Sequence, residues 1–464
     1  MLSLLAVVAH LTATAIGLAA IAWLTRRLPV PLWASILLAL GVAALAAASF
    51  YVSDPPTIFD DFTKAYYPAG RAVIDQPAAL SALSHKGVFG FVNMPVIAYL
   101  FAPFATGSLL AGASVFTLLG AGFTVAAWAL LAKLARLDLA DRWRLALLFA
   151  ASGPLAYSLR EGNTSHMVLF ALAAGLVLIR AGRSGSAGAL LACAALIKPP
   201  LILFGAFFLL RRDWRGVAGF SAILAGVAAL STALFGWAEN LRWFDVCILQ
   251  FSHRWLSAFN VQSIPGFLFR LSGGAGLLTD WHAYPPPAGL ELPAKLCIML
   301  LLAVALLVAL PAPARGEAVS PARRARRRDL QYLLVLVLTV IASPLTWSHY
   351  YAWLLVPAAL FLGERREQPA TRRMLGWTAI WLVTPLARFI AFKAPAALFV
   401  YKNIAVSHFL FGGLLWFGLL AWSLACEDSL IAAWRRRDST AHETAQMTWR
   451  RSRSAGTVPE GPFP

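Results

Sequence analysis

The chain breaks into about a dozen apolar runs, and the segments joining them alternate between two kinds. One kind is short and arginine-rich: Arg26-Arg27, Lys133 to Arg144, Arg180 to Arg183, Arg211 to Arg215, Arg315 to Arg328, Arg365 to Arg373, and Arg435 onward. The other carries acids, aromatics, His and Asn: residues 53–107, 160–164, 237–290, 344–349 and 393–403. A chain folded in water has no reason to alternate in this way. A chain threaded back and forth through a bilayer does, because Lys and Arg are retained on the cytoplasmic side. Of 39 Lys and Arg, 27 fall in the arginine-rich segments. Nearly every residue able to do chemistry lies in the other set, as in a polytopic enzyme or transporter with one working face.

The net charge of +18 would suit a nucleic-acid binder, but its distribution excludes that class. The basic surplus orients helices and meets anionic lipid headgroups. Four cysteines, Cys193, Cys247, Cys297 and Cys426, form no disulfide framework and have no zinc spacing. The first apolar run, about 3–24, lacks a basic leader and a small-residue cleavage site, so a retained helix is expected there.

A spanning helix needs about 20 apolar residues, fewer where its ends snorkel. Candidate spans are roughly 3–24, 31–51, 108–132, 145–159, 165–180, 186–198, 199–210, 216–236, 290–311, 330–343, 350–363, 375–391 and 404–425. The pair 186–198 and 199–210 reads as half-helices or one helix kinked at Pro199-Pro200. The expected fold is therefore an all-α polytopic membrane protein of about 13 spans, 11 to 13 being compatible with the runs. Thirteen spans put the N-terminus outside, the C-terminus inside and every arginine-rich segment in the cytoplasm. Residues 1–432 form the membrane domain, with outer loops 53–107 and 237–289, and 433–464 a disordered basic tail. No fixed-period or inverted repeat of the transporter kind is visible.

In the first outer segment, Val96 to Phe104 is too short to span and has Pro at each end, so it reads as an interfacial or re-entrant helix. Upstream stand Asp60 and Asp61, two carboxylates at the membrane surface, where they must be solvated, paired or used. Thr57-x-x-Asp60 fits a capping box, which accounts for Asp60 and not Asp61. Phe62, Tyr66, Ala69 and Val73 follow with helical period, interrupted by Pro68 and Gly70, so one helix or two short ones begin at Asp61.

Ser158-Leu159-Arg160-Glu161-Gly162-Asn163 is a tight outer turn. Its Arg160-Glu161 pair fits a local ion pair or a group facing the space of Asp61. Lys198, at the end of a short span before two prolines, either snorkels or holds an anionic phosphate. Ser343-Pro344-Leu345-Thr346-Trp347-Ser348-His349-Tyr350-Tyr351 reads as an interfacial aromatic belt, a phosphate ligand or an acid/base at His349. The second outer loop holds five Trp or Tyr, and its Asn260-Val261-Gln262-Ser263 with Arg270 offers amides and a hydroxyl suited to sugar hydroxyls. No phosphate-cradling Gly loop, Ser/His/Asp elbow or metal motif is present. A donor must be reachable from outside, which favours a lipid-linked one over a nucleotide.

Taken in order, these segments resemble glycosyltransferase family 87. This GT-C-fold family includes polyprenyl-phosphate-mannose-dependent α-mannosyltransferases and some arabinofuranosyltransferases of cell-envelope assembly. The likeness runs over about 50 to 410. The family's Asp-Phe followed by Tyr-Tyr is similar to Asp61-Phe62-Thr63-Lys64-Ala65-Tyr66-Tyr67-Pro68-Ala69. Its aromatic-x-Pro resembles Asn93-Met94-Pro95, with Pro103 ending the helix. Its Gly-Gln-Asn turn is met by Glu161-Gly162-Asn163 without the Gln, and its Lys-Pro by Lys198-Pro199. Its Asn-Gln-Ser resembles Asn260-Val261-Gln262-Ser263 with an inserted Val. Its Ser-Pro-x-Ser-Trp-x-His-His is similar to the segment from Ser343, with Tyr350 for the second His.

The resemblance implies a GT-C-like fold and sugar transfer from a polyprenyl-phosphate donor, mannose first, to an envelope glycolipid or glycan. Asp61 would be the general base. Lys198, Arg160 and His349 would hold the departing phosphate. Asp60, Tyr66, Asn163, Asn260, Gln262, Ser263, Arg270 and Trp347 would bind substrate. No cofactor or metal is required by that layout, and Asp60 beside Asp61 leaves weak cation binding open. The expected location is a bacterial inner membrane, with the site on its outer face. The competing classes are a transporter or flippase, disfavoured by spans nearly free of charge apart from Arg388, and an inactive scaffold subunit.

Overall fold

Apolar segments in a bilayer fold as helices because each backbone N–H and C=O must be satisfied within the segment. The computed structural model describes residues 59–273, 275–310, 320–384 and 399–425. Among them the regular structure is helical, and β pairing is limited to two isolated bridges, Trp255 with Tyr284 and Val261 with Trp347. Four described helices are long and apolar enough to cross a membrane: Leu109–Leu134, Trp214–Leu249, Glu291–Ala309 and His408–Ala425. Ser165–Arg180, Ser184–Ile197 and Pro199–Leu210 are shorter apolar helices beside them. The runs 3–24 and 31–51, Thr57, most of the segment around Arg388 and the 433–464 tail lie outside the described residues. The thirteen expected spans are thus seen only in part.

The 26 residues of Leu109–Leu134 reach roughly 39 Å, beyond the roughly 30 Å hydrocarbon core. Its Leu110, Leu118 and Val125 are 78%, 73% and 63% exposed and form an apolar stripe suited to lipid. Leu292, Met299 and Leu307 do the same on Glu291–Ala309. Pro321–Ile341 and Leu355–Glu364 lie inside: from Gln331 to Ile341 only Val335 is not buried, and Leu355 to Leu362 are all buried. Buried polar groups there find backbone partners, as in Tyr332 Oη to Leu172 O (2.7 Å) and Trp353 Nε1 to Ser165 O (3.0 Å). Ser184–Ile197 packs against Trp214–Trp243 at glycine contacts. A Cβ on Gly188 would lie 2.2 Å from Gly216 O, so only glycine permits that approach.

The arginine-rich turns meet at one end. Arg180 pairs with Asp329 at 2.9 Å, Arg326 with Glu364 at 3.1 Å, Arg365 with Asp141 at 2.7 Å and Arg366 with Asp138 at 3.1 Å. Ser165–Arg180 and Ser184–Ile197 run between this end and the one where Asn163, Lys198, Asn260 and His349 meet.

Several expected boundaries shift for identifiable reasons. The run 145–159 is two helices, Leu139–Ala151 and Gly153–Arg160. Pro154 has no N–H to continue the first, and Ser152 Oγ caps the second by accepting from Leu155 N at 3.3 Å. The helix expected at 330–343 starts at Pro321, because Ser320 caps it and arginines are good helix formers outside the apolar stretch. The span expected to end at 236 does break there, and Ser231 Oγ donates to Asn240 Oδ1 at 2.6 Å across the break. Trp214–Trp243 passes through a kink at Gly236 (φ 79°) and continues as a π-helix, Phe244–Leu249. The segment after Asp61 is one path: a π-helical turn, Phe62–Tyr66, passes into Tyr67–Asp75. Pro68, which has no N–H to bond back along the helix, follows directly on the π-helical turn, where the regular hydrogen-bond pattern is already interrupted.

Candidate active site

The site is built on three breaks in the helices. The first is the start of the Asp61 helix. The turn after Gly153–Arg160 docks on it: Phe59 N donates to Arg160 O (2.9 Å), and Asp61 N and Phe62 N to Glu161 O (3.0 and 3.3 Å). These are N-terminal helix donors that would otherwise lack partners. Gly162 makes the docking fit. Its φ of +62° suits glycine, and a Cβ there would lie 2.6 Å from the Phe59 ring and 2.7 Å from Phe62 Cβ. The second break is Lys198, where Ser184–Ile197 stops before Pro199–Ile202. Asn93 Nδ2 donates to Leu196 O and Ile197 O (3.3 and 2.8 Å), so the Asn93-Met94-Pro95 segment caps the helix that presents Lys198. The third is the joint between the second outer loop and the turn after Ile341. Gln262 N donates to Thr346 O (2.6 Å) and Ser348 N to Asn260 O (2.7 Å).

These breaks enclose a cavity of about 470 Å³. Its wall includes Asp60, Asp61, Tyr66, Arg160, Asn163, Lys198, Asn260, Trp347 and His349, nine of the twelve residues singled out in the sequence. Asp61 is half-buried and accepts a 2.5 Å hydrogen bond from Asn163 Nδ2. Burial raises its carboxyl above the ordinary 3.8. The Asn163 bond and the Lys198 charge oppose that, Asp60 adds to it and Lys64 opposes it. Asp60 is paired with Lys64 at 2.7 Å. Lys198 is buried; its side chain makes no ion pair or hydrogen bond among the described residues, and its Nζ lies 5.1 Å from the Tyr350 ring centre. His349 is buried between Tyr157 and Trp347, its two ring nitrogens without a hydrogen-bond partner among the described residues. Burial holds it well below the ordinary imidazole range, helped by the Lys198 and His166 charges, so it stands in the cavity as a neutral ring.

Other residues are engaged differently than expected. Arg160 forms an ion pair with Glu161 at 3.4 Å, both side chains being 11% exposed, so its charge is partly cancelled at the cavity wall. Asn260 makes two hydrogen bonds within the protein: Nδ2 donates to Tyr157 Oη (3.3 Å) and Oδ1 accepts from Trp281 Nε1 (3.0 Å). It holds two cavity rings in place.

Gln262, Ser263 and Arg270 are fully buried and do not line the cavity, contrary to the expected substrate contacts. Gln262 Nε2 ties Phe259 O to Val406 O (2.7 and 2.8 Å), and Ser263 Oγ accepts from Gly266 N (3.1 Å). Arg270 donates to Ser257 O, Ala258 O and Val261 O (3.2, 3.2 and 2.7 Å) and to Ser407 Oγ (2.8 Å). Its guanidinium is the clamp that holds the 257–261 loop.

Tyr157, Phe259, Trp281 and Tyr350 belong to the wall but were not singled out. Aromatic residues in that loop were visible in the sequence; which of them faces the cavity depends on long-range hydrogen bonds that were not. Among the described residues, no group of three or more His, Cys, Asp or Glu comes together as a metal ion would need.

Helices long and apolar enough to cross a membrane, beside a cavity of carboxylates, amides, a lysine and aromatic rings, are the features of a helical membrane protein with a polar cavity. The sequence model described as glycosyltransferase family 87 matches residues 91–344, more than half of the chain, and the chain belongs to that family. It is accordingly a glycosyltransferase. The match takes in Asn93, Asn163, Lys198 and Asn260; Asp61 precedes it, and Trp347 and His349 follow it. No curated protein and no solved structure gave a significant match.

Proposed function

We propose that the protein transfers a sugar, mannose in the first instance, from a polyprenyl-phosphate donor to a glycolipid or glycan of the cell envelope. The observation that carries this reading is the cavity itself. A carboxylate with one oxygen held by Asn163, and a lysine with no ion-pair partner among the described residues, share a cavity at the arginine-poor end of the bundle. That end is the outer face by the positive-inside rule, where nucleotide sugars are scarce and lipid-borne donors are within reach.

In this account Asp61 accepts the proton from the acceptor hydroxyl while that oxygen attacks the sugar's C1. The bond from C1 to the phosphate oxygen breaks, and its electron pair leaves with the polyprenyl phosphate. Attack from the face opposite the leaving group inverts the anomeric centre. A positioned base contributes on the order of 10²–10⁴-fold. Lys198 meets the growing phosphate charge. Neutral His349 acts as an N–H donor rather than as a cation, which fits its buried nitrogens, without partners among the described residues. Asp60, already paired with Lys64, serves the cavity wall.

The test is transfer by protein reconstituted in lipid, with a synthetic polyprenyl-phosphate mannose and a membrane-lipid extract as acceptor. Labelled product is expected from the lipid donor and none from GDP-mannose. Saturable movement of a solute with no transfer from any lipid-phosphate sugar would instead favour a transporter and sink this reading.

A further inference from the structure

Asn163 looks at first like a substrate contact, since it lines the cavity and carries an amide. Its hydrogen bonds assign it elsewhere. Its Oδ1 accepts from both Ser165 N and Ser165 Oγ at 2.9 Å. That fixes the amide's orientation, because only the oxygen can accept two donors. The NH₂ is then forced toward Asp61, where Nδ2 lies 2.5 Å from Oδ2. The backbone secures both partners: Asn163 N donates to Ser158 O (2.9 Å), and Asp61 N to Glu161 O (3.0 Å), one residue from Gly162. Asn163 is only 3% exposed, so the contact has little competition from water.

We propose that Asn163 is a positioning residue for Asp61: its amide holds one carboxylate oxygen and its ionised form, leaving the other oxygen to take the acceptor's proton. This rests on the reading of Asp61 as the base. An amide can donate only to the charged or unprotonated oxygen, so the bond opposes the neutralising effect of burial. The other groups facing Asp61 are Asp60 and Lys64 on its own helix, Lys198 from the helix break, and the phenols of Tyr66, Tyr157 and Tyr350. Among the described residues that favour the carboxylate, Asn163 is the one that makes a hydrogen bond to it.

The variant Asn163→Asp separates positioning from folding. A carboxylate oxygen can still accept from Ser165 N and Oγ, but an oxygen replaces the donor that faced Asp61. Two carboxylates then share one space, and the first protonation moves to higher pH. The measurement is the pH dependence of kcat/KM for transfer from polyprenyl-phosphate mannose, with Asp61→Asn run beside it and the melting temperature of each protein recorded. The expected result is a protein that stays folded at the assay temperature, with its melting temperature lowered at neutral pH and recovering as pH falls, and an acid limb of transfer displaced upward by about one pH unit or more, so that transfer falls about tenfold below the limb and recovers above it. A deficit equal at every pH, or none, overturns the positioning role. If Asp61→Asn is inactive while the limb of Asn163→Asp stays in place, positioning fails and the base assignment stands. If Asp61→Asn retains transfer, the base assignment fails and positioning with it.

Discussion

At Lys198 the backbone leaves one helix and enters another, and the side chain is left buried in the cavity wall with only the Tyr350 ring beneath it. A buried ammonium without a salt-bridge partner is costly, and an incoming phosphate would supply the missing anion. Replacing it with methionine keeps the volume and removes the charge, so Lys198→Met should lower the transfer rate by about 10²–10³-fold. It should also move the acid limb upward, because the Lys198 charge is one of the influences holding Asp61 ionised. His349 behaves differently. Burial keeps it neutral well below the ordinary 6.5, so His349→Asn should lower the rate without moving the limb. The sign follows from the working form: Asp61 acts as a carboxylate, its carboxyl is raised above 3.8, and activity is lost as pH falls through that raised value. Rate–pH profiles of the two variants check this, and a limb that moved with His349 and stayed fixed with Lys198 would contradict it.

At the scale of elements, the site depends on short irregular pieces rather than on the long helices. The Glu161-Gly162-Asn163 turn caps the Asp61 helix, and Asn93 caps the helix before Lys198. Gly162→Ala tests the first of these. Its left-handed φ costs a side chain about 1–2 kcal/mol, and the Phe59 and Phe62 contacts add to that. A lowered melting temperature and reduced transfer are expected; wild-type values for both would show that the turn tolerates a Cβ. The sequence exposes these pieces unevenly. Asp61, Lys198 and His349 stand out because polar residues beside apolar runs need a reason to be there. The helix ends at Ser152 and Ser320 are written in local capping residues, yet apolar periodicity alone places them elsewhere. The capping by Asn93 and the clamp made by Arg270 depend on backbone oxygens at remote positions. For that reason Gln262, Ser263 and Arg270 pass as sugar contacts in the sequence while serving the loop's interior in the fold.

For the whole molecule, charge and chemistry are segregated. Ion pairs such as Arg365–Asp141 and Arg180–Asp329 gather at one end, and the cavity lies at the other. The alternation of connectors makes that division legible in the sequence, whereas the enclosure of the cavity by three separate helix breaks depends on contacts between remote segments. Family membership makes the chain a glycosyltransferase, and the cavity is where the account locates transfer. Two neighbouring carboxylates enter it, one paired with Lys64 and one held by Asn163, and the account gives the reaction to the second. The most direct measurement compares wild type, Asp61→Asn and Asp60→Asn in lipid, with polyprenyl-phosphate mannose and a membrane-lipid extract. Asp61→Asn should lose about 10²–10⁴-fold of the transfer rate, while Asp60→Asn stays within an order of magnitude of wild type. Transfer that survives Asp61→Asn, or that vanishes only with Asp60→Asn, would contradict the account.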